Sequence, residues 1–318
     1  MNFPVIDFGS FALDKPEPSA NEMNRLSTEV ANAINEIGFM YFKNIGINDE
    51  QVFETMDICR KFFLLPKDIK EQYACVKSSD IPHHGWQCMS ESLIPEHVFD
   101  LKETFNLSVL ASSETWPIKE APEFSNRMES FFRILEGLSI RIMKVIALTL
   151  GVEPDFFLSR HQKIGSISNP TTIRAAYYPP IQKSFVKENQ ARCGEHCDYG
   201  TFTLLFQDKN GGLEVMSKSG QFIDAPYIPN TVLFMPADFL QRWTSDRWIA
   251  TKHRIQIPQT EEALNRARQS IGFFYHPDHD ATVVCCDGLN KYPPIICNQY
   301  LKNKYPHIFY KESYPSIA

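Results

Sequence analysis

The sequence predicts an α+β fold in which helices flank a core of short strands that closes into a double-sheet barrel. Two observations carry this. From residue 171 onward, β-like segments follow one another without helical patterns between them, at 173–178, 202–207, 213–216, 222–225, 231–234, 253–257 and 270–275. Strands at that spacing close on one another rather than alternate with crossover helices. Upstream, apolar residues repeat with helical spacing in three long stretches, the mark of helices that each bury one face.

In chain order, 5–8 reads as a short strand and 14–20 as a polar, proline-containing loop. A helix is expected over 21–35, with Met23, Leu26, Val30, Ala33, Ile34 and Ile37 on one face, and Gly38 then releases the chain into a strand at 39–42. Asn48 is a good N-cap for a second helix through Val52, Met56 and Cys59 to Phe63, which Pro66 ends. Residues 78–95 are polar and irregular apart from His83-His84-Gly85-Trp86. A strand at 103–107 precedes a helix over 122–150, whose apolar face from Met128 to Leu150 makes it a scaffold spine. Residues 298–304 are expected to form a helix over the mouth of the barrel. The chain therefore divides into an N-terminal mixed α/β region (1–120), a scaffold helix (121–165), the barrel core (166–280) and a C-terminal segment that covers it (281–318).

Composition excludes several classes of function. With 318 residues, 43% of them hydrophobic, the chain can bury a large core. A net charge of -6 without any lysine or arginine block is the wrong electrostatic footprint for nucleic acid. No stretch reaches the ~18 apolar residues of a membrane span, and the first residues lack a basic segment followed by an apolar run, so a cytoplasmic protein is expected. The eight cysteines show no Cys-x-x-Cys spacing and are expected as free thiols. Nothing specifies an oligomer, and a monomer is the expectation.

The chemistry-bearing stretch is Arg192-Cys-Gly-Glu-His196-Cys-Asp198-Tyr-Gly200. A period of two puts His196 and Asp198 on one strand face, with Cys197 turned away. With His253 they can supply two imidazoles and a carboxylate to one face of an octahedral ion, the donor set of non-haem Fe(II) sites. Further on, strand parity places Arg268, Ser270, Gly272 and Phe274 on a common face, where a guanidinium fork and a hydroxyl can hold a carboxylate. The alternative is that Arg268 makes a structural ion pair.

Together with Pro4-Val-Ile-Asp-Phe8, Gly38-Phe-Met-Tyr-Phe-Lys-Asn44, Tyr177-Tyr-Pro-Pro180 and Gly211-Gly-Leu-Glu-Val215, these segments resemble the isopenicillin N synthase-like family of Fe(II)- and 2-oxoglutarate-dependent oxygenases. Gly194-Glu-His-Cys-Asp-Tyr-Gly200 and Leu204-Leu-Phe-Gln-Asp208 are most similar to its thymine 7-hydroxylase type. The resemblance implies a double-stranded β-helix, or jelly roll. It implies Fe(II) on His196, Asp198 and His253, and O2 and 2-oxoglutarate as cosubstrates. The distal carboxylate of 2-oxoglutarate would meet Arg268, Ser270 and Tyr178. Because Asp198 fills the position that halogenating relatives leave open to chloride, hydroxylation, desaturation or oxidative ring closure is expected. An oxidase of the same fold that does not use 2-oxoglutarate also carries Arg-x-Ser, and a non-catalytic metal-binding protein is a second alternative. Two departures stand out: Ala176 where many relatives have Asn, and Ala237 where a glycine usually precedes the aspartate.

For the substrate, parity along a straight strand would turn Arg192 and Arg174 inward, with Phe274 as a wall. The family places a segment like His83, His84 and Trp86 at the mouth. Two inward arginines favour a small polar or anionic metabolite, such as an amino acid derivative, a carboxylate or a nucleobase-like ring, over a sterol or long lipid.

Overall fold

The computed structural model describes residues 3–75, 84–88, 100–110, 116–186 and 190–304. Its first half runs β1 (Val5–Asp7), α1 (Ala20–Glu36), β2 (Met40–Lys43), α2 (Asp49–Phe63), α3 (Lys67–Glu71), β3 (Gly85–Gln87), β4 (Glu103–Leu107), α4 (Pro122–Leu150) and α5 (Asp155–Leu158). The second half is mostly strand: β5 (Thr172–Tyr178), β6 (Cys193–His196), β7 (Phe202–Gln207), β8 (Leu213–Met216), β9 (Phe222–Asp224) and β10 (Thr231–Pro236). It continues with α6 (Asp238–Trp243), β11 (His253–Ile255), α7 (Glu261–Leu264), β12 (Arg268–Tyr275), β13 (Thr282–Val283), β14 (Ile295–Ile296) and α8 (Cys297–Lys304).

The helices begin and end where their capping chemistry dictates. Ser19 accepts the Glu22 amide ahead of α1, and Asn48 and Gln51 form a reciprocal capping box ahead of α2. In α4 a proline occupies the first turn, where its missing N–H costs nothing, and Gly151 closes the other end at φ 74. The buried face of α4 packs its phenylalanines under the sheet, Phe131 against Phe206 and Phe132 against Phe273, at centroid distances of 5.6 and 5.2 Å.

Two sheets carry the fold. The larger has eight strands in the order β1-β2-β10-β7-β12-β5-β4-β3, and the smaller four in the order β6-β11-β8-β9. Strands from the first 110 residues thus extend both edges of the sheet built by the second half. The principal core joins α1, α2 and α4 to one face of the large sheet. A second cluster, including Tyr178, Cys193, Leu213, Val215, Leu233, Met235 and Ile255, draws on both sheets. A cavity of about 500 Å³, counted to its open mouth, is lined by residues of both.

The turn at Ala237 needs no glycine. Its backbone is extended at φ -121 and ψ -176, and its side chain is buried. Gly200 is where the backbone does require one. A Cβ there would stand 2.4 Å from the Tyr275 carbonyl oxygen, a backbone atom that cannot swing aside. Gly200→Ala is therefore expected to destabilise the protein by about 1–3 kcal/mol, the usual cost of overpacking, read as a lower denaturation midpoint. An unchanged midpoint would contradict the tight approach.

Candidate active site

His196 and His253 meet as direct cross-strand partners between β6 and β11. Their ring centroids are 4.3 Å apart. Asp198 lies two residues past the end of β6, in the loop toward β7, so backbone contacts beyond the strand ladder must hold it. The amide of Asp238, at the start of α6, donates to the Asp198 carbonyl at 3.1 Å, and the Phe239 amide donates to Gly200 at 2.9 Å. These are the N–H groups that a helix leaves unsatisfied at its start. One ligand atom from each of His196, Asp198 and His253 lies within 4.8 Å of the others.

The hydrogen bonds around the three side chains leave the right atoms free for a metal. His196 Nδ1 contacts the Gly194 carbonyl at 2.8 Å and His253 Nδ1 the Thr251 carbonyl at 3.0 Å. A carbonyl can only accept, so each Nδ1 carries the proton and each Nε2 presents its lone pair. Thr203 donates its hydroxyl to Asp198 Oδ2. Burial tends to raise the Asp198 carboxyl, but His253, His196 and the Thr203 hydroxyl hold it below the usual carboxylate range. Burial, with His196 beside it, keeps the His253 imidazole below its ordinary value and hence neutral, the form that ligates metal. Two imidazoles and a carboxylate on one side fit Fe(II).

On the large sheet, β12 pairs with β5 so that Arg268 faces Tyr178, Ser270 faces Ala176 and Gly272 faces Arg174. Ser270, Gly272, Phe274, Arg174, Ala176 and Tyr178 all line the cavity, as parity predicts, whereas Arg268, expected on the same face, is not among the lining residues. Arg268 is fully buried, its guanidinium 4.9 Å from the centroid of the Tyr178 ring. Its Nε donates to the Gly211 carbonyl at 2.8 Å and one Nη to Gln207 Oε1 at 3.0 Å, whereas Nη1 has no partner among the described residues. The structural ion pair is thus not what is found among the described residues. A buried cation held only by neutral groups is costly unless an anion joins it, so this donor set fits a ligand carboxylate.

Arg192 does not face the cavity. Its Nη2 donates to the carbonyls of Pro179 and Arg266, at 3.3 and 3.2 Å, and it is buried. The physical reason is a register shift: His253 pairs with His196, but Ile255 pairs with Cys193, so β6 spends one residue more than β11. Such a bulge reverses parity beyond it, and Cys193 joins His196 in lining the cavity.

His84 and Trp86 are likewise corrected, because both pack into the interior instead of standing at the mouth. His84 is buried against the rings of Trp116 and Phe105, and burial lowers its imidazole to about 4. Trp86 belongs to the principal core, its indole donating to Glu103 at 2.8 Å. His83 lies outside the described residues. The helix α8 is present, but it binds α6, through Tyr300 and Lys304 to Asp238, and contributes no cavity-lining residue. Sequence reasoning missed Lys102, Thr203 and Gln207. Parity along β7 would have found the last two, since it puts 203, 205 and 207 on one face.

Residues 170–277 match the 2OG-Fe(II) oxygenase superfamily, and residues 3–127 match the N-terminal region described as non-haem dioxygenase in morphine synthesis. The chain is 30% identical over 292 residues to the 2-oxoglutarate-dependent dioxygenase gloF of Glarea lozoyensis, covering 80% of this chain and 84% of that protein. It belongs to the 2OG-Fe(II) oxygenase superfamily. The oxygenase is similar in structure to the Neurospora crassa thymine 7-hydroxylase crystallised with α-ketoglutarate, at a TM-score of 0.83 and 29% identity, covering 96% of this chain and 95% of that one. The complex of the same Neurospora crassa enzyme that also holds thymine superimposes at a TM-score of 0.81 and 28% identity, with 96% of each chain covered. The protein is therefore a 2-oxoglutarate-dependent dioxygenase that uses Fe(II) and O2, and the two alternatives gain no support. Among the described residues, no helix is long and apolar enough to cross a membrane.

Thr203 is the residue through which the donor arrangement can be tested. Thr203→Val keeps the shape but removes the hydroxyl that orients Asp198, and Fe(II) affinity is expected to fall by about 10–100-fold, as for other groups that hold a metal ligand in place. Anaerobic metal titration reads it directly. Wild-type affinity in the variant would mean that Asp198 needs no such support.

Proposed function

We propose that His196, Asp198 and His253 ligate the Fe(II), that Arg268, Ser270 and Tyr178 receive the distal carboxylate of 2-oxoglutarate, and that Arg174 and Phe274 hold the substrate. The observation that carries this is that three ligand atoms within 4.8 Å of one another stand at a cavity also lined by Ser270 and Tyr178, with the buried Arg268, one of whose nitrogens is unpaired among the described residues, against the Tyr178 ring. Bound iron and 2-oxoglutarate supply the oxidising power that breaks a substrate C–H bond. The chain supplies orientation and exclusion of water. Gln207, itself held by the Ala225 carbonyl at 2.8 Å, and Gly211 fix the Arg268 fork so that Nη1 is free to donate to the carboxylate.

The substrate class follows from the charges that line the cavity. The Arg174 Nε donates to Asn106 at 2.7 Å, and its guanidinium lies 5.0 Å from the Phe274 ring centroid. Gly272 leaves the space that the Phe274 ring occupies. Among the described residues no carboxylate pairs with Arg174, and Asp198 is the one acid among the cavity-lining residues, which include two cations, Lys102 and Arg174. A small polar or anionic metabolite with a flat group for Phe274 fits, whereas a long lipid does not. The thymine bound to the Neurospora crassa enzyme supports a nucleobase-like ring as a member of that class. Hydroxylation, desaturation and ring closure all begin with the same C–H abstraction.

We also read the two sheets as the walls of a double-stranded β-helix, and the eight free cysteines support a reducing, cytoplasmic setting. The deciding experiment is anaerobic loading with Fe(II), followed by exposure to air with 2-oxoglutarate and a panel of small carboxylates, amino acid derivatives and pyrimidines. Substrate-dependent succinate release is expected from a member of the panel. Release stimulated only by lipids or sterols would refute the substrate class. With a substrate in hand, Arg268→Lys should raise the apparent KM for 2-oxoglutarate about 10-fold or more, the loss of one charge-assisted hydrogen bond. A larger rise in the KM of the main substrate would move Arg268 to the substrate instead.

A further inference from the structure

The bulge that removes Arg192 from the cavity turns Cys193 into it, where the sulfur meets an amine. Lys102 Nζ and Cys193 Sγ are 2.7 Å apart. That is shorter than the about 2.9 Å typical of an N–H···O bond, although sulfur is the larger atom. Asp100 brackets the pair: its Oδ2 lies 2.6 Å from the same Nζ, and its Oδ1 accepts the Gly194 amide, next to the cysteine, at 2.8 Å. By contrast, Cys59 contacts a methionine sulfur, and Cys197, Cys285 and Cys297 contact backbone carbonyls. Lys102 and Cys193 both line the cavity that holds the metal-ligand cluster.

We propose that Lys102 and Cys193 form a covalent crosslink through one oxygen atom, Lys-N–O–S-Cys, and that it switches the enzyme off reversibly under oxidising conditions. The oxidant is dioxygen, the enzyme's own cosubstrate. The thiol, the ammonium and one O2 give the N–O–S bridge, one water and one proton. An S–H bond and N–H bonds break, and S–O and N–O bonds form. Sulfur and nitrogen each give up two electrons, and the four reduce O2 to the bridging oxygen and the water oxygen. The leftover proton passes to Asp100 Oδ2, the nearest acceptor to the ammonium. Two single bonds meeting at a bent oxygen span about the separation already present, so the backbone need not move. The crosslink ties the segment entering β4 to β6, the strand that carries His196, and replaces one of the two cavity cations with a neutral group. Two equivalents of dithiothreitol supply the four electrons and protons that return thiol, amine and water.

The test uses the full chain, prepared reduced, loaded with Fe(II) and then exposed to air without substrate. Intact mass spectrometry should show a gain of one oxygen with loss of two hydrogens, about 14 Da, distinct from the whole-oxygen steps of ordinary cysteine oxidation. Peptide mapping should locate it in one linked pair containing residues 102 and 193. Dithiothreitol should reverse it, and Cys193→Ser and Lys102→Arg should each abolish it. Succinate release in the absence of substrate should drop several-fold in the crosslinked form and recover on reduction. Cys193 found as sulfenic, sulfinic or sulfonic acid beside an unmodified Lys102 would overturn the crosslink, as would no mass change on aeration of the wild type. A linked protein with undiminished turnover would overturn the switch.

Discussion

The site depends on how the loop after β6 is clamped. Its carbonyls need donors and the first amides of α6 need acceptors, and Asp238 to Asp198 and Phe239 to Gly200 satisfy both at once. On the far side, the Thr201 amide donates to Tyr275 at 2.6 Å, which ties the loop to the end of β12. A carboxylate two residues outside a strand is thereby fixed to α6 and β12 by backbone hydrogen bonds. The clamp is itself buttressed, because Tyr300 and Lys304 of α8 bind the Asp238 carboxylate at 2.9 and 2.6 Å. The helix α8 is thus linked to the candidate metal ligand Asp198 through α6 and contributes no residue to the cavity lining.

Charge is distributed around the cavity by the same logic of partners. Arg268 is held by neutral groups, Gly211 and Gln207, and Arg174 by Asn106. Among the described residues neither has its charge cancelled, so each keeps an attraction for an anion. Lys102 differs, because Asp100 pairs with it and Cys193 lies against it. The triad sits with one acid between two imidazoles whose outer nitrogens are already bonded. Ligand identity is thus set by which polar atoms the protein satisfies and which it leaves over.

Much of the fold was legible in the sequence because its signals are local. The 3.6-residue period of α4 reports one buried face regardless of what covers it, and the helix runs over the expected 122–150. Parity along β12 and β5 held for Ser270, Gly272, Phe274, Arg174 and Tyr178, since those strands pair without a slip through their whole register. The candidate ligands His196 and His253 were visible as metal-competent residues on strand-like segments, and the register then set them face to face.

What the sequence determined by itself is the set of long helices, the main strands with their faces, and the chemistry each face offers; short helices such as α6 carry too few residues for a period to show. The tertiary structure alone decided which faces meet. The one-residue shift on β6 exchanged Arg192 for Cys193, because a bulge reverses parity and is set by the partner strand. Lys102 reached the cavity, and His84 and Trp86 the core, through pairings between segments far apart in the chain. Local periodicity records which way a side chain points along its own element; which group it then meets depends on long-range register and packing, which no single segment encodes.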